Sequence, residues 1–164
     1  MRHYSRILLV SLALLPGSAL ALPAGEPAPD FTLPDSDGKS VSLASLRGQF
    51  VYVDFWASWC GPCRQSFPWM NQLSLRARKA ALKVVAVNVD ENRGDAAAFL
   101  RQLPASFTVL YDPAGRVAAS YLLPGMPTSF LIGPDGRVRW THIGFRQGDG
   151  QNIEAMILRE MRKP

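Results

Sequence analysis

Hydrophobic positions along this chain recur with two different periods. Residues 50–56 (FVYVDFW) and 82–89 (LKVVAVNV) are nearly continuous in β-branched and aromatic side chains. Such runs predict central strands covered on both faces. Between them, Phe67, Met70 and Leu73 sit three apart with polar residues in the gaps, which predicts a helix over roughly 61–79 with one buried stripe. Pro68 falls inside that stretch and is expected to kink it. Ala96, Phe99, Leu100 and Leu103 repeat at three and four, a second helical face that Asp95 would cap or open. Residues 107–110 (FTVL) read as a third strand, followed by a turn at 112–115 and a short helical piece around 116–122. Strands at 128–132 and 137–143 flank Gly133–Pro134–Asp135–Gly136, a hairpin signal. Ile153, Met156, Ile157 and Met161 mark a last helix. Strands alternating with helices and closing with a hairpin and a helix predict a three-layer α/β domain around a mixed sheet.

The ends of the pattern are different. Arg2 and Arg6 precede an apolar run at 7–15, a Pro16–Gly17 break and Ala19–Leu20–Ala21. This is the layout of a secretory signal cleaved after Ala21. The alternative, an uncleaved anchor, has only the 15 residues from Ile7 to Ala21, short of the ~20 that span a bilayer. The expected organisation is therefore a signal at 1–21 and one domain at 22–164. Residues 22–30 (LPAGEPAPD) read as an extended entry, Phe31–Thr32–Leu33 as a short edge strand, and Asp35 to Gly38 as a polar turn that Val41 to Leu46 follows back to the core.

Composition changes this picture little. Of 164 residues, 48% are apolar and 19% charged, which suits a globular domain and excludes a disordered or fibrous chain. The signal takes two of the 18 basic residues with it, leaving 16 against 13 acidic ones, a net +3. Arg76, Arg78, Lys79 and Lys83 cluster where a helix should end, the end its dipole favours for cations. No basic stripe interleaves with aromatics, so nucleic-acid binding is not expected.

The two cysteines carry the chemistry. Cys60 and Cys63 enclose only Gly61 and Pro62. A disulfide over so short a loop stabilises little by chain entropy. Two cysteines and His142 cannot supply the four ligands of a structural zinc. Neither metal nor cofactor is expected. What remains is a pair kept for making and breaking its bond. A strand leading into Trp59–Cys60–Gly61–Pro62–Cys63 and then a helix puts Cys60 at the helix start, where N–H groups and the dipole favour a thiolate. Pro62 suits the first turn, and Cys63, one turn in, is the expected resolving thiol.

Asp54 lies six residues before Cys60 in an otherwise apolar strand. Buried, its pKa should rise, and it could take the Cys63 proton; an edge residue turned to solvent is the bland alternative. Met126–Pro127, if cis, would make a tight turn that could set the Met126 backbone beside Cys60, where a substrate peptide could add as a strand. Trp56 and Trp59 read either as core and rim aromatics or as cover and docking surface for the disulfide. His142 reads as a strand residue.

Residues 50–69 (FVYVDFWASWCGPCRQSFPW) resemble the thioredoxin superfamily, and the chain over about 26–162 resembles its exported TlpA-like, or ResA-like, disulfide reductases. The resemblance implies a thioredoxin-like fold with a TlpA-type helix–strand insertion, here 90–122. It implies that Cys60 and Cys63 form the redox disulfide, that Asp54 is the buried acid, that Pro68 kinks the active-site helix and that Pro127 is the cis-proline. Trp59, Gly61, Pro62, Met126 and Gly144 then face the substrate. The chain departs from many TlpA-like members in lacking a glutamate shortly after the second cysteine; Arg64–Gln65–Ser66 stands there. A peroxidase pattern is also missing, with Ala57 and Val53 where Thr and Pro would be required. The expected protein is a periplasmic reductase of disulfide-containing clients, monomeric and recharged by a membrane thiol donor. Two alternatives are a specialised reductase for cytochrome c or copper-site maturation and a binding module without turnover.

Overall fold

The computed structural model describes residues 21–77 and 80–163. The expected signal segment, apart from Ala21, lies outside them, as do Arg78 and Lys79. A five-stranded mixed sheet forms the middle layer, in the order β5 (Thr108–Tyr111), β4 (Leu82–Asn88), β3 (Phe50–Trp56), β6 (Thr128–Ile132), β7 (Val138–Ile143). The first three run parallel, and β6 and β7 antiparallel to their neighbours.

The continuous apolar run of β3 has the expected cause. It is the central strand, and its two sets of side chains serve two cores. Tyr52 and Trp56 face α1 (Gly61–Ala77), α2 (Arg93–Gln102) and α4 (Asp149–Met161), meeting Phe67, Met70, Phe99, Ile153 and Ile157. Val51, Val53 and Phe55 face the opposite layer, built from Ala28, Phe31, Leu33, Leu43 and Tyr121. That layer holds the entry segment, a hairpin of β1 (Thr32–Pro34) with β2 (Ser40–Ser42), a 3-10 turn (Ala44–Leu46) and α3 (Arg116–Ser120). The entry segment is tied to β7 by Gly25 N–H donating to Val138 O and by Thr141 Oγ1 donating to Leu22 O.

Three sequence expectations change in detail. The first strand does not join the main sheet; it pairs only with β2, and Asp35 bridges to Leu110 at the β5 edge. The second helix starts earlier than Asp95. Asn92 is its cap, with Oδ1 accepting from Gly94 N–H at 2.9 Å, and Asp95 lies in the first turn. Both residue types cap helices, and apolar spacing cannot choose between them. Of the basic cluster, Arg76 ends α1 and makes a two-pronged pair with Glu154 of α4, whereas Lys83 belongs to β4. The insertion is present as α2, β5 and α3, with β5 extending the sheet.

Candidate active site

Cys60 immediately precedes α1, and Cys63 lies in its first turn. The two are joined by a disulfide with Cα atoms 5.3 Å apart. The Cys60 sulfur occupies the position of a capping group: it accepts the backbone N–H of Cys63 at 3.2 Å, and its carbonyl accepts from Arg64 N–H. A helix start leaves its first N–H groups without internal partners, and here a sulfur meets one of them. Cys60 is 5% exposed and Cys63 fully buried, the asymmetry expected of an attacking and a resolving thiol. Gly61 and Pro62 are exposed, and Trp59 stands out into solvent at 71%. Trp56 is instead a core residue, packed edge-on against Phe67 and tilted on Phe99.

The segment before Cys60 is held by residues that sequence reasoning did not name. Asp90, just after β4, accepts from Ser58 N–H at 3.0 Å, Ser58 Oγ at 3.0 Å and Asn88 Nδ2 at 2.7 Å. Downstream, Arg64 donates to Gln102 Oε1 and lies over the Phe99 ring, tying the start of α1 to the inserted helix. Pro68 sits inside α1; it has no N–H to offer the Arg64 carbonyl one turn back.

Asp54 is buried, 1% exposed, on the α1 side of the sheet, so the solvent-facing alternative is excluded. The residue opposite it on β4 is Ala86, which offers no charge; on β6 it is Ser129. Ser129 Oγ donates to Asp54 Oδ1 at 2.6 Å, while Oδ2 has no partner among the described residues. Burial pushes the Asp54 carboxyl up to about 7, and the serine hydroxyl only partly offsets it. Burial, then the Asp54 charge, also pushes the Tyr52 hydroxyl well above its ordinary value, so that neighbour stays neutral.

The Met126–Pro127 bond is cis. Pro127 is buried, and Met126 packs against the cluster that contains Cys60 and Cys63. Gly144, at φ +81°, donates its N–H to Pro127 O at 2.7 Å, which locks the end of β7 to this loop. Met126 thus packs on the core cluster that holds the disulfide, and Gly144 is tied to Pro127 beside it.

Residues 24–141 match the AhpC/TSA family. The chain belongs to that family. Its fold is thioredoxin-like, as the solved relatives show: a Chlorobium tepidum protein assigned as a thiol:disulfide interchange protein DsbE superposes with a TM-score of 0.81 at 52% identity, over 85% of this chain and 98% of that one. Among curated proteins, ResA of Bacillus subtilis (strain 168), a thiol-disulfide oxidoreductase, is 36% identical over 114 residues, or 70% of this chain and 64% of that protein. ResA of Geobacillus thermodenitrificans (strain NG80-2) is 34% identical over 73% of this chain and 68% of its own length. The chain thus spans about two thirds of the length of these curated members of the family.

Proposed function

We propose that the protein is an exported thiol–disulfide oxidoreductase that reduces protein disulfides through Cys60 and Cys63. The observation that carries this reading is the Cys60 sulfur acting as cap of α1, accepting the Cys63 N–H at 3.2 Å. The donor and the helix dipole favour a sulfur anion at that atom. The resemblance to ResA and DsbE proteins supports the same chemistry.

In the reduced protein the Cys60 thiolate attacks a client disulfide, forming a mixed disulfide and releasing one client thiolate. Cys63 then loses its proton to Asp54 and attacks the Cys60 sulfur, and the second client thiolate leaves. Asp54 lies in the same buried layer as Cys63 and has an open Oδ2. A carboxyl near 7 is matched to a proton transfer at neutral pH. Client backbone pairs with Met126 as an added strand, with the exposed Trp59, Gly61 and Pro62 as docking surface and Gly144 as the point of close approach. The protein works in the periplasm as a monomer after cleavage at Ala21, and a membrane thiol donor returns its electrons.

Equilibration with glutathione tests the direction. A potential near the roughly −270 mV of thioredoxin is expected, and one above about −150 mV would make the protein an oxidant. Failure to exchange its disulfide with any dithiol would sink the reading altogether.

A further inference from the structure

We propose that Ser129 and His142 form a proton path between the buried Asp54 carboxyl and solvent beside the start of α4. The proposal rests on Asp54 being the acceptor of the Cys63 proton.

Three polar residues stand in one row across three neighbouring strands. Asp54 on β3 is directly opposite Ser129 on β6, and Ser129 is directly opposite His142 on β7. Residues opposite one another share a face, with Cβ atoms roughly 4.5–5.5 Å apart. The face is the one under α1 and α4, and the positions before and after this row belong to its apolar core: Tyr52 and Trp56 on β3, Leu131 on β6 and Trp140 on β7. Exposure rises along the row, from 1% at Asp54 and 2% at Ser129 to 25% for the His142 side chain. The row therefore runs from the active-site layer to the rim.

Its two ends carry orphaned atoms. Asp54 Oδ2 and His142 Nε2 are both buried without a hydrogen-bond partner among the described residues. Each such atom is a net loss in a purely structural account, since it gives up its water and gains no partner. A hydroxyl and an imidazole aligned with a buried acid have a chemical use instead. Asp54 cannot exchange protons with water by itself, yet it must release one for every one it receives from Cys63.

The charged surroundings suit the direction of travel. Asp54 shares its face with Tyr52 on its own strand, Ser129 on β6 and uncharged Ala86 on β4. His142 faces Ser129 on β6 and Asp149 of α4, whose Oδ2 is 3.6 Å from Nε2, and it stacks on Trp140 at 5.3 Å. Arg146, in the connection to α4, donates its backbone N–H to the same Asp149 oxygen. Asp149 thus sets a carboxyl oxygen beside the imidazole at the outer end of the row. After Cys63 has delivered its proton, the Asp54 O–H donates to Ser129 Oγ while the serine hydroxyl turns its own hydrogen toward the imidazole. One proton moves from Asp54 to the serine oxygen as another moves from that oxygen to His142, which releases it to water. No bond between heavy atoms changes. Re-reduction of the disulfide runs the path inward.

Reaction of the reduced protein with 5,5′-dithiobis(2-nitrobenzoate) separates the steps, since Cys60 attack releases one coloured thiolate and Cys63 resolution a second. At and below pH 7 part of the protein enters the reaction with Asp54 protonated, and in that fraction resolution waits for the proton to leave along the path, so Ser129→Ala and His142→Ala are expected to leave the first phase unchanged and slow the second about tenfold, less than the 10²–10⁴ of a full general base because water partly substitutes. Added imidazole should restore His142→Ala, and Ser129→Thr, which keeps the hydroxyl, should recover most of the rate lost in Ser129→Ala. Wild-type second phases in both alanine variants across the neutral range would overturn the path, as would a slow phase that neither imidazole nor threonine restores. Asp54→Asn is the reference: if it too leaves the second phase unchanged, the role of Asp54 itself fails, whereas a slow Asp54→Asn beside normal Ser129 and His142 variants removes the path alone.

Discussion

Ser129 donates its hydroxyl hydrogen to Asp54 Oδ1 at 2.6 Å, across the β3–β6 ladder. One neutral donor is a weak partner for a carboxylate that is 1% exposed. A buried charge needs a counter-charge or several strong donors to be tolerated. The carboxyl accordingly holds its proton up to about 7.

Stability should therefore depend on pH through this residue. The folded carboxyl titrates near 7 against an ordinary 3.8, so between those values the folded state binds more protons than the unfolded one. Stability is fully present below the lower value and falls as pH rises toward the upper one. At about 1.4 kcal/mol per pH unit the loss approaches ~4 kcal/mol. Asp54→Asn, which cannot ionise, should match the wild type in acid and exceed it by a few kcal/mol above neutrality. Urea midpoints at several pH values check this; a wild type that gains stability over the window would refute it.

The main strands were legible because each of β3, β4 and β6 is covered on both faces, so burial writes an uninterrupted apolar run into the chain. The cysteine pair was legible because its chemistry depends on local spacing alone. Asp54 stood out as the one charge in the β3 run. Its partner did not: a serine 75 residues away becomes informative only when the β3–β6 register places it opposite. Asp90 was hidden for the same reason, since Ser58 lies 32 residues before it. The start of α2 misled because Asn92 and Asp95 are both plausible caps, and only backbone geometry separates them.

Asp90 should prove a positioning residue for the loop that carries Trp59 and Cys60. Asp90→Ala leaves the Ser58 N–H and the buried Asn88 amide without their acceptor. At about 1.5–3 kcal/mol for a hydrogen bond to a charged group, partly recovered by water, a net loss of roughly 2–4 kcal/mol is expected. Asp90→Asn, which retains an acceptor oxygen, should lose less. Denaturant unfolding measures the cost, and protease cleavage near Ala57–Ser58 reports whether the loop itself has loosened. Unchanged stability in Asp90→Ala would show that the three contacts contribute nothing.

Phe67 holds the active-site helix to the sheet and to the insertion together. It is fully buried and meets Trp56, Phe99 and Phe107 with ring centroids 4.8, 4.8 and 5.3 Å away. Phe67→Ala should cost about 3–5 kcal/mol. Phe67→Leu, which fills more of the space, should lose less. Because Trp56 would lose its edge-on neighbour, its fluorescence in the folded state should change as well. A small loss with unaltered emission would mean that the cluster can collapse into the vacated space.

The last expectation concerns the two sulfurs directly. In the disulfide form the Cys60 sulfur sits beside the Cys63 N–H at the mouth of α1, whereas Cys63 is enclosed by the core. An anion gains from that donor and from the dipole, so Cys60 should react with iodoacetamide as a thiolate at pH values below the ~8.5 of a free thiol. Cys63 should remain unmodified until the protein is unfolded. Cys63→Ala removes the resolving sulfur and should hold a mixed disulfide between Cys60 and a client long enough for intact-mass detection; Cys60→Ala should form none. Rates of alkylation against pH, read by mass for each cysteine, decide the matter. Equal reactivity of the two thiols, with a midpoint near 8.5 for both, would remove the physical basis of the assignment.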